Sequence, residues 1–408
     1  MTRMRKTFIA LLFTVTASAQ TLEQVATIRF DDQPMSARTA AMGGASDALS
    51  TDGSDLAVNP ALIASLKRPV FAVSGVESTF DVVRFDFDGQ NVVLLHEPQT
   101  QRAFAHASAA IPWRGVVFGV YARNEPRIGN LSVNDGGDGP NEYVPLCTGD
   151  DCRYAIVIGD AAWERQERRY GMTAALERGP LSFGVGAELQ ELDETYEVMR
   201  GSGTPFPRAF ERITRRTSGG KVVANAGVRW RVGPRLALAA AYNGAPSREQ
   251  TQDICTIGFF PGSGCASRVA RLETNTVRGA DAYRASVAMA PIDGLVVTAE
   301  VVRWGYGKLE SGDDLTSFGV VQYRDATDIH AGAEYRLPRL PISLRAGWMR
   351  QPAKYEGSTF FGPQEDAVEH GTYGAGFEIR GARIDVAYDD AKAPAFRRAV
   401  VGVSFGLR

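Results

Sequence analysis

Near its C-terminus the chain reads Gly402-Val403-Ser404-Phe405-Gly406, the G-x-S-x-G spacing that can present a nucleophilic serine on a sharp strand-to-helix turn. Such a serine needs an acid and a histidine that follow it, and only Leu407 and Arg408 remain. The segment also alternates as a strand, with Val401, Val403, Phe405 and Leu407 on one face. The histidines His96, His106, His330 and His370 are scattered and form no H-E-x-x-H pair. A lipase-like Ser–His pair would have to lie on the outside of a barrel, whereas His106 and His330 fall on the polar faces of their segments. Asn134-Asp135-Gly136-Gly137-Asp138-Gly139 lacks the ligand order and closing glutamate of a calcium loop and reads as a solvated turn. Gly43-Gly44 has no G-K-[ST] behind it to cradle a phosphate. No catalytic residue, metal ligand or cofactor is assigned, and the expectation is a non-enzyme.

The four cysteines form two local pairs, Cys147/Cys152 and Cys255/Cys265. Metal binding would need C-x2-C spacing or histidine neighbours, which both pairs lack. In an oxidising compartment they read as two small disulfide loops. The N-terminus points to such a compartment. Arg3, Arg5 and Lys6 precede a short apolar run from Thr7 to Val15, and Ala17-Ser18-Ala19 is an A-x-A cleavage site. Residues 1–19 therefore read as a secretory signal peptide, too short in its apolar core to span a bilayer. No later stretch reaches ~18 uninterrupted apolar residues.

The formal charge is -2, from 45 basic and 47 acidic residues, with no basic excess to suggest a nucleic-acid partner. Without the signal peptide the balance is 42 basic against 47 acidic. Lysine supplies only six of the basic residues. Arginine forks suit phosphate, so some are expected to grip lipopolysaccharide at an outer rim.

The elements that position these residues show mostly period-2 alternation from residue 69 onward. Val222, Ala224, Ala226, Val228, Trp230 and Val232 face away from Lys221, Val223, Asn225, Gly227, Arg229 and Arg231. Leu181, Phe183, Val185, Ala187 and Leu189 face away from Ser182, Gly184, Gly186, Glu188 and Gln190. The reading is about fourteen strands, over 69–79, 102–112, 115–124, 166–178, 181–193, 219–231, 235–245, 280–290, 294–306, 325–336, 341–351, 370–380, 382–389 and 397–407. Most exceed the ~9–11 residues that cross a bilayer at barrel tilt. Short turns alternate with long polar loops, and Trp230, Tyr242, Trp304, Tyr335, Trp348, Tyr373, Tyr388 and Phe405 fall near strand ends, as interfacial girdles do. A soluble barrel or sandwich would bury the apolar face. The strand lengths, the alternating connections and the Gly/Arg/Glu-rich polar face favour a transmembrane antiparallel β-barrel with that face inside. Both termini then lie on the short-turn, periplasmic side of an outer membrane. The cysteine pairs fall in the outward loops 125–165 and 246–279.

A barrel of this size is too wide for its own side chains to fill. Residues 20–66 precede the first strand and carry short apolar pieces between glycines and acids. Gly43 and Gly44 supply tight turns and close approach. Pro60, behind Asn59, opens a short helix at Ala61. They are expected to form a plug, with 67–408 as the barrel. The order Ser36-Ala37-Arg38, Ala41-Met42-Gly43-Gly44-Ala45, Asp52, Asp55 and Asn59-Pro60-Ala61 resembles the N-terminal hatch of the FadL-type outer-membrane transporters. The resemblance implies a hatch-gated, fourteen-stranded barrel that admits long-chain fatty acids or hydrocarbons, with hatch residues Gly43, Gly44, Asn59, Pro60 and Ala61. The same pattern is similar to that of the PorV-type barrels, which serve a protein secretion system, and these imply secretion-system partners instead. The outward loops hold Phe206 and Phe210, Phe259 and Phe260, and Phe360 and Phe361. Such aromatics can form a landing groove for an apolar ligand or pack the loops together. The charged loops and the arginines and glutamates of the inner face depart from a purely aliphatic path.

Overall fold

The computed structural model describes residues 36–45, 48, 53, 55–88, 91–124, 128–134, 144–148, 151–155, 160–202, 209–257, 267–308, 322–352, 355–356, 367–392 and 395–407. The signal peptide at 1–19 and the first part of the expected plug lie outside them.

Fourteen antiparallel strands form one closed ring. They are β1 Val70–Asp88, β2 Asn91–Trp113, β3 Val116–Asn124 continued by Ile128–Asn134, β4 Asp160–Arg178, β5 Leu181–Ser202, β6 Ala209–Gly233 and β7 Leu236–Asn243 continued by Ser247–Ile257. There follow β8 Ser267–Arg278 continued by Ala282–Ile292, β9 Leu295–Trp304, β10 Ala326–Arg336, β11 Ile342–Gln351, β12 Val368–Ile379, β13 Ala382–Lys392 and β14 Ala395–Gly406. Each strand pairs with the next, and β14 returns to β1 from Val70↔Gly406 to Phe80↔Phe396. Closure removes the unpaired edges that an open sheet would expose.

The expected alternation of short turns with long loops holds only in part, because β1–β2 and β13–β14 are joined at the opposite end by just two residues each, 89–90 and 393–394. Arg114-Gly115, Gly179-Pro180, Pro234-Arg235, Asp293-Gly294, residues 337–341 and Arg380-Gly381 all close hairpins at one end. Pro69 and the end of β14 lie at that same end, where the Leu407 amide donates to the Pro69 carbonyl.

The apolar faces point outward. Phe104, Val120, Met172, Val185, Val222, Trp230, Val297, Ile329, Leu344, Tyr373 and Val401 are all exposed. Their neighbours one residue along, such as Tyr121, Thr173, Arg229, Thr298, His330 and Arg345, are buried. So continuous an apolar exterior belongs in lipid, not water. Paired rings edge it, Phe71 and Phe405 stacked 5.4 Å apart, with Tyr242 and Tyr283 5.3 Å apart and Tyr373 and Tyr388 5.2 Å apart in tilted pairs.

Strand lengths and one girdle residue need correction too. The strands on the long-loop side reach well beyond the expected spans, so that 80–88, 91–101, 194–202 and 209–218 are ladder rather than loop. In these extensions the sequence no longer alternates cleanly between apolar and polar residues, so period two does not mark the strand. Trp304 is not a girdle residue. It is buried on the inner face of β9, and its indole Nε1 donates to Asp328 Oδ2 at 2.8 Å.

The lipid-facing assignment has a direct test. Val185 is 63% exposed in the middle of the outward row of β5. Val185→Lys is expected to lose about 2–4 kcal/mol of folding stability in a bilayer, as a lysine near the midplane does. Urea titration of folding into lipid vesicles measures it. A loss within about 0.5 kcal/mol, typical of an ordinary wet surface, would refute the assignment.

Candidate functional site

Inside the ring lie the described residues between Ser36 and Leu66. The first piece is a short helix, α1 Ala37–Ala41. Ser36 caps it, its Oγ accepting from the Thr39 amide at 3.1 Å. Gly43 and Gly44, at φ 67° and 77°, end it in the left-handed region that favours glycine. There the Gly44 amide donates to Thr39 O at 2.9 Å and the Gly43 amide to Ala40 O at 3.2 Å, the paired bonds of a Schellman stop. The second piece is a 3-10 turn, Pro60–Ser65. Asn59 caps it, with Oδ1 accepting from the Ala61 amide at 3.0 Å, and Pro60 sits at the position where a missing N–H costs nothing. Asp55 joins the pieces: it accepts from the Thr39 hydroxyl, and its carbonyl takes the amides of Val58 and Asn59.

The two pieces seat on opposite walls, and glycines make the seats. On one wall a Cβ at Gly184 would lie 2.4 Å from the Pro60 carbonyl carbon. One at Gly227 would lie 1.9 Å from Asn59 Oδ1, and one at Gly119 3.1 Å from Ile63 Cδ1. Leu56, Ile63 and Leu66 pack there with Ala110, Val117, Tyr121 and Ala175 in one apolar cluster. On the far wall a Cβ at Gly332 would meet Met42 O at 2.5 Å, and one at Gly347 would meet the Gly43 amide nitrogen at 2.2 Å. One at Gly374 would lie 2.6 Å from Ala41 Cβ. Contacts with β3–β6 on one side and β11–β14 on the other place the segment within the lumen.

Polar contacts fasten the same two ends. His330 Nδ1 lies 2.7 Å from the Gly43 carbonyl oxygen, the geometry of an N–H donating to it. The Thr372 hydroxyl accepts from the Gly43 amide at 2.9 Å and donates to Ala41 O at 3.1 Å. Asn59 Nδ2 donates to Ala240 O at 3.3 Å, and Arg229 Nη1 to Leu62 O at 3.4 Å. Beneath α1 lies a buried ion network. Glu334 takes Arg38 at 2.9 Å, Arg345 at 2.6 Å and Arg383 at 2.9 Å. Asp385 takes Arg345 at 2.7 Å and Arg383 at 3.0 Å.

Elsewhere the described inner wall carries further bonded polar groups beside apolar residues such as Val76, Val302 and Met349. Tyr121 donates to Glu188 at 2.6 Å, Arg284 pairs with Glu300 at 2.8 Å, and Asp389 joins His370 at 2.8 Å and Arg398 at 2.9 Å. Ser404 sits in the regular ladder of β14, opposite Ala72 and Arg383. Of the six loop aromatics, one falls among the described residues. Phe210 belongs to β6, paired with Gly201 and Ile257, instead of a loop. Phe206, Phe259, Phe260, Phe360 and Phe361 lie outside the described residues, as do 135–139 of the acidic stretch. Cys147 and Cys152 face each other across a small hairpin, Val144–Thr148 with Asp151–Ala155. Cys255 is buried within β7 rather than in a loop, and Cys265 lies outside the described residues.

The residues that the sequence reading missed are the inner-wall glycines and the Glu334 network. The glycines were visible as a face, but their partners lie up to a few hundred positions away.

No protein-family model and no curated protein matches the chain. Among solved structures it is similar to a FadL homologue of Pseudomonas aeruginosa, at 12% identity and TM-score 0.66 over 90% of this chain and 97% of that one. It is similar to the Ralstonia pickettii toluene transporter TbuX, at 16% identity and TM-score 0.59 over 93% of this chain and 100% of that one. The Pseudomonas putida toluene transporter TodX matches at 14% identity and TM-score 0.60, over 92% of this chain and 98% of that one. At such identities the likeness is one of fold.

Proposed function

We propose that this chain, whose fold is that of the FadL-type barrels, is an outer-membrane transport protein that admits hydrophobic small molecules, with residues 20–66 as its hatch. One observation carries the reading: a segment built of a helix, a double-glycine stop and an Asn-Pro-Ala turn is wedged between opposite walls of a closed barrel. A plug that only filled space would not need capped ends seated on glycines at both sides. The toluene transporters of the same fold support a hydrophobic cargo, either a hydrocarbon or a long-chain fatty acid. Gly43, Gly44, Asn59, Pro60 and Ala61 are the hatch residues in this reading. The short turns and both termini face the periplasm. Phe206, Phe210, Phe259, Phe260, Phe360 and Phe361 contribute apolar surface on the outward side. Disulfides Cys147–Cys152 and Cys255–Cys265 stiffen that side, and the cross-strand register of the first pair supports its bridge.

Uptake of labelled toluene and of a labelled long-chain fatty acid, in cells with and without the protein, tests the proposal. Uptake of at least one is expected to fall on deletion and to return with the intact chain. Unchanged uptake of both, with failed secretion of other proteins, would move the assignment to a partner-binding barrel of the PorV type.

A further inference from the structure

Every non-glycine residue with a positive φ among the described residues is an arginine: Arg114 at 49°, Arg339 at 72° and Arg380 at 49°. All three lie in turns at the short-turn end of the barrel, between β2 and β3, β10 and β11, and β12 and β13. Arg114-Gly115 and Arg380-Gly381 are two-residue hairpin turns with φ of 49° and 86° and of 49° and 88°. That geometry favours asparagine, aspartate or glycine at its first position, because a longer L side chain crowds its own carbonyl there. The arginines stand where the backbone argues against them, and an outlier of that kind points to use of the side chain.

They are part of a larger set. Lys67, Arg68 and Arg178 are exposed at the same end. None of these six cations has an ion-pair partner among the described residues. The three carboxylates in or beside these turns are already taken. Glu177 holds Arg231 at 2.8 Å, Asp293 holds Arg235 at 2.9 Å, and Glu378 holds Arg336 at 2.8 Å. One rim of a chain with formal charge -2 therefore carries a run of uncompensated positive charge.

The depth of that rim is set by its neighbours. Arg114 follows exposed Trp113, Arg380 follows exposed Ile379, Arg339 precedes exposed Leu340, and Arg178 stands two residues beyond exposed Leu176. The Arg114 guanidinium lies 4.8 Å from the Trp113 ring centre, so the cation and the girdle aromatic form one unit. The lipid-facing belt thus ends within a residue or two of each arginine, which puts the charges at headgroup level. A guanidinium fork there matches a phosphate.

We infer that this rim binds the phosphates of anionic phospholipid headgroups in the periplasmic leaflet. The choice of leaflet rests on the proposed orientation, with short turns inward. The lipid contact itself depends on neither the cargo nor the hatch.

The test uses the full chain in non-ionic detergent, with its thermal midpoint read against added phosphatidylglycerol or phosphatidylcholine. Phosphatidylglycerol is expected to raise the midpoint more. In a variant carrying Arg114→Asn, Arg178→Asn, Arg339→Asn and Arg380→Asn, its apparent affinity should fall by about tenfold or more, since each cation near such a surface contributes measurably. Without lipid that variant should unfold no earlier than the parent, because asparagine suits the left-handed turns. The matching four-lysine variant should keep most of the preference. Equal shifts from the two lipids would overturn the inference, as would a preference unchanged in the asparagine variant or lost equally in the lysine one. Equal stabilisation by inorganic phosphate would overturn lipid as the ligand. A response confined to lipopolysaccharide would overturn the leaflet.

Discussion

Valine at Gly184 or at Gly347 is expected to unseat the plug, each from a different wall, while the barrel stays closed. A Cβ at Gly184 would lie 2.4 Å from the Pro60 carbonyl carbon and 2.5 Å from the Ala61 nitrogen. At Gly347 it would lie 2.2 Å from the Gly43 nitrogen and 2.3 Å from the Met42 carbonyl carbon. These neighbours are backbone, which cannot swing aside as the tip of a side chain can. Overpacking of this kind costs about 1–3 kcal/mol or more. With tenfold for each ~1.4 kcal/mol, the seated state should lose roughly 5- to 150-fold against the unseated one. Valine itself suits a strand better than glycine, so the ladder should not suffer. Gly371→Val is the control, because nothing lies within 4 Å of its Cβ position. Conductance across planar bilayers and protease cleavage within residues 36–66 should rise in the first two variants and not in the third. If all three behave alike, these seats do not hold the segment, and the hatch reading loses its structural basis.

The barrel itself was legible because lipid acts on every second residue. The rows Leu181-Phe183-Val185 and Val222 to Val232 declare a face, and Arg-Gly, Gly-Pro and Asp-Gly pairs declare the turns. Legibility failed where that pressure stops. In Ala209–Ser218 charged and hydroxyl residues fall at both alternate positions, so a continuous strand read as loop. Trp304 failed for a related reason. An aromatic near a strand end has two stable homes, the interface or an inner partner, and only the fold showed Asp328 beside it. In the plug, Gly43-Gly44 and Asn59-Pro60-Ala61 stood out because caps and stops are local chemistry. Their seats did not. Gly184 and Gly227 alternate with apolar residues and look like any small inward face until Asn59 and Pro60 are placed against them. The Glu334 network was still less accessible, since Arg38 and Glu334 are separated by 296 positions and no local pattern joins them.

That separation makes Glu334 the residue whose loss should cost most. Glu334→Gln keeps the shape and removes the charge. Arg345 and Arg383 then share Asp385, and Arg38 loses its bond to Glu334. Arg345 is the critical member: its side chain is 0% exposed, and among the described residues it pairs with Glu334 and Asp385. Breaking a buried pair while leaving its partner charged typically costs about 3–5 kcal/mol, most of it from the stranded charge and not from the lost bond. Arg38→Met is the contrasting change. It leaves two arginines facing two carboxylates and removes a cation that reaches in from the plug, so its effect on the barrel should be smaller. Adding Arg38→Met to Glu334→Gln should recover part of the loss, because it removes one of the cations that Glu334 had balanced. A coupling of about 0.5–3 kcal/mol is expected between residues that share a network. The thermal midpoint of each variant in non-ionic detergent gives the cycle. Protease access to residues 36–66 separates release of α1 from damage to the wall. Because the network is buried, moderate salt should change the parent little. Additive effects, or a Glu334→Gln no worse than Arg38→Met, would mean that the glycine seats and the His330 and Thr372 bonds hold α1 without help from these charges.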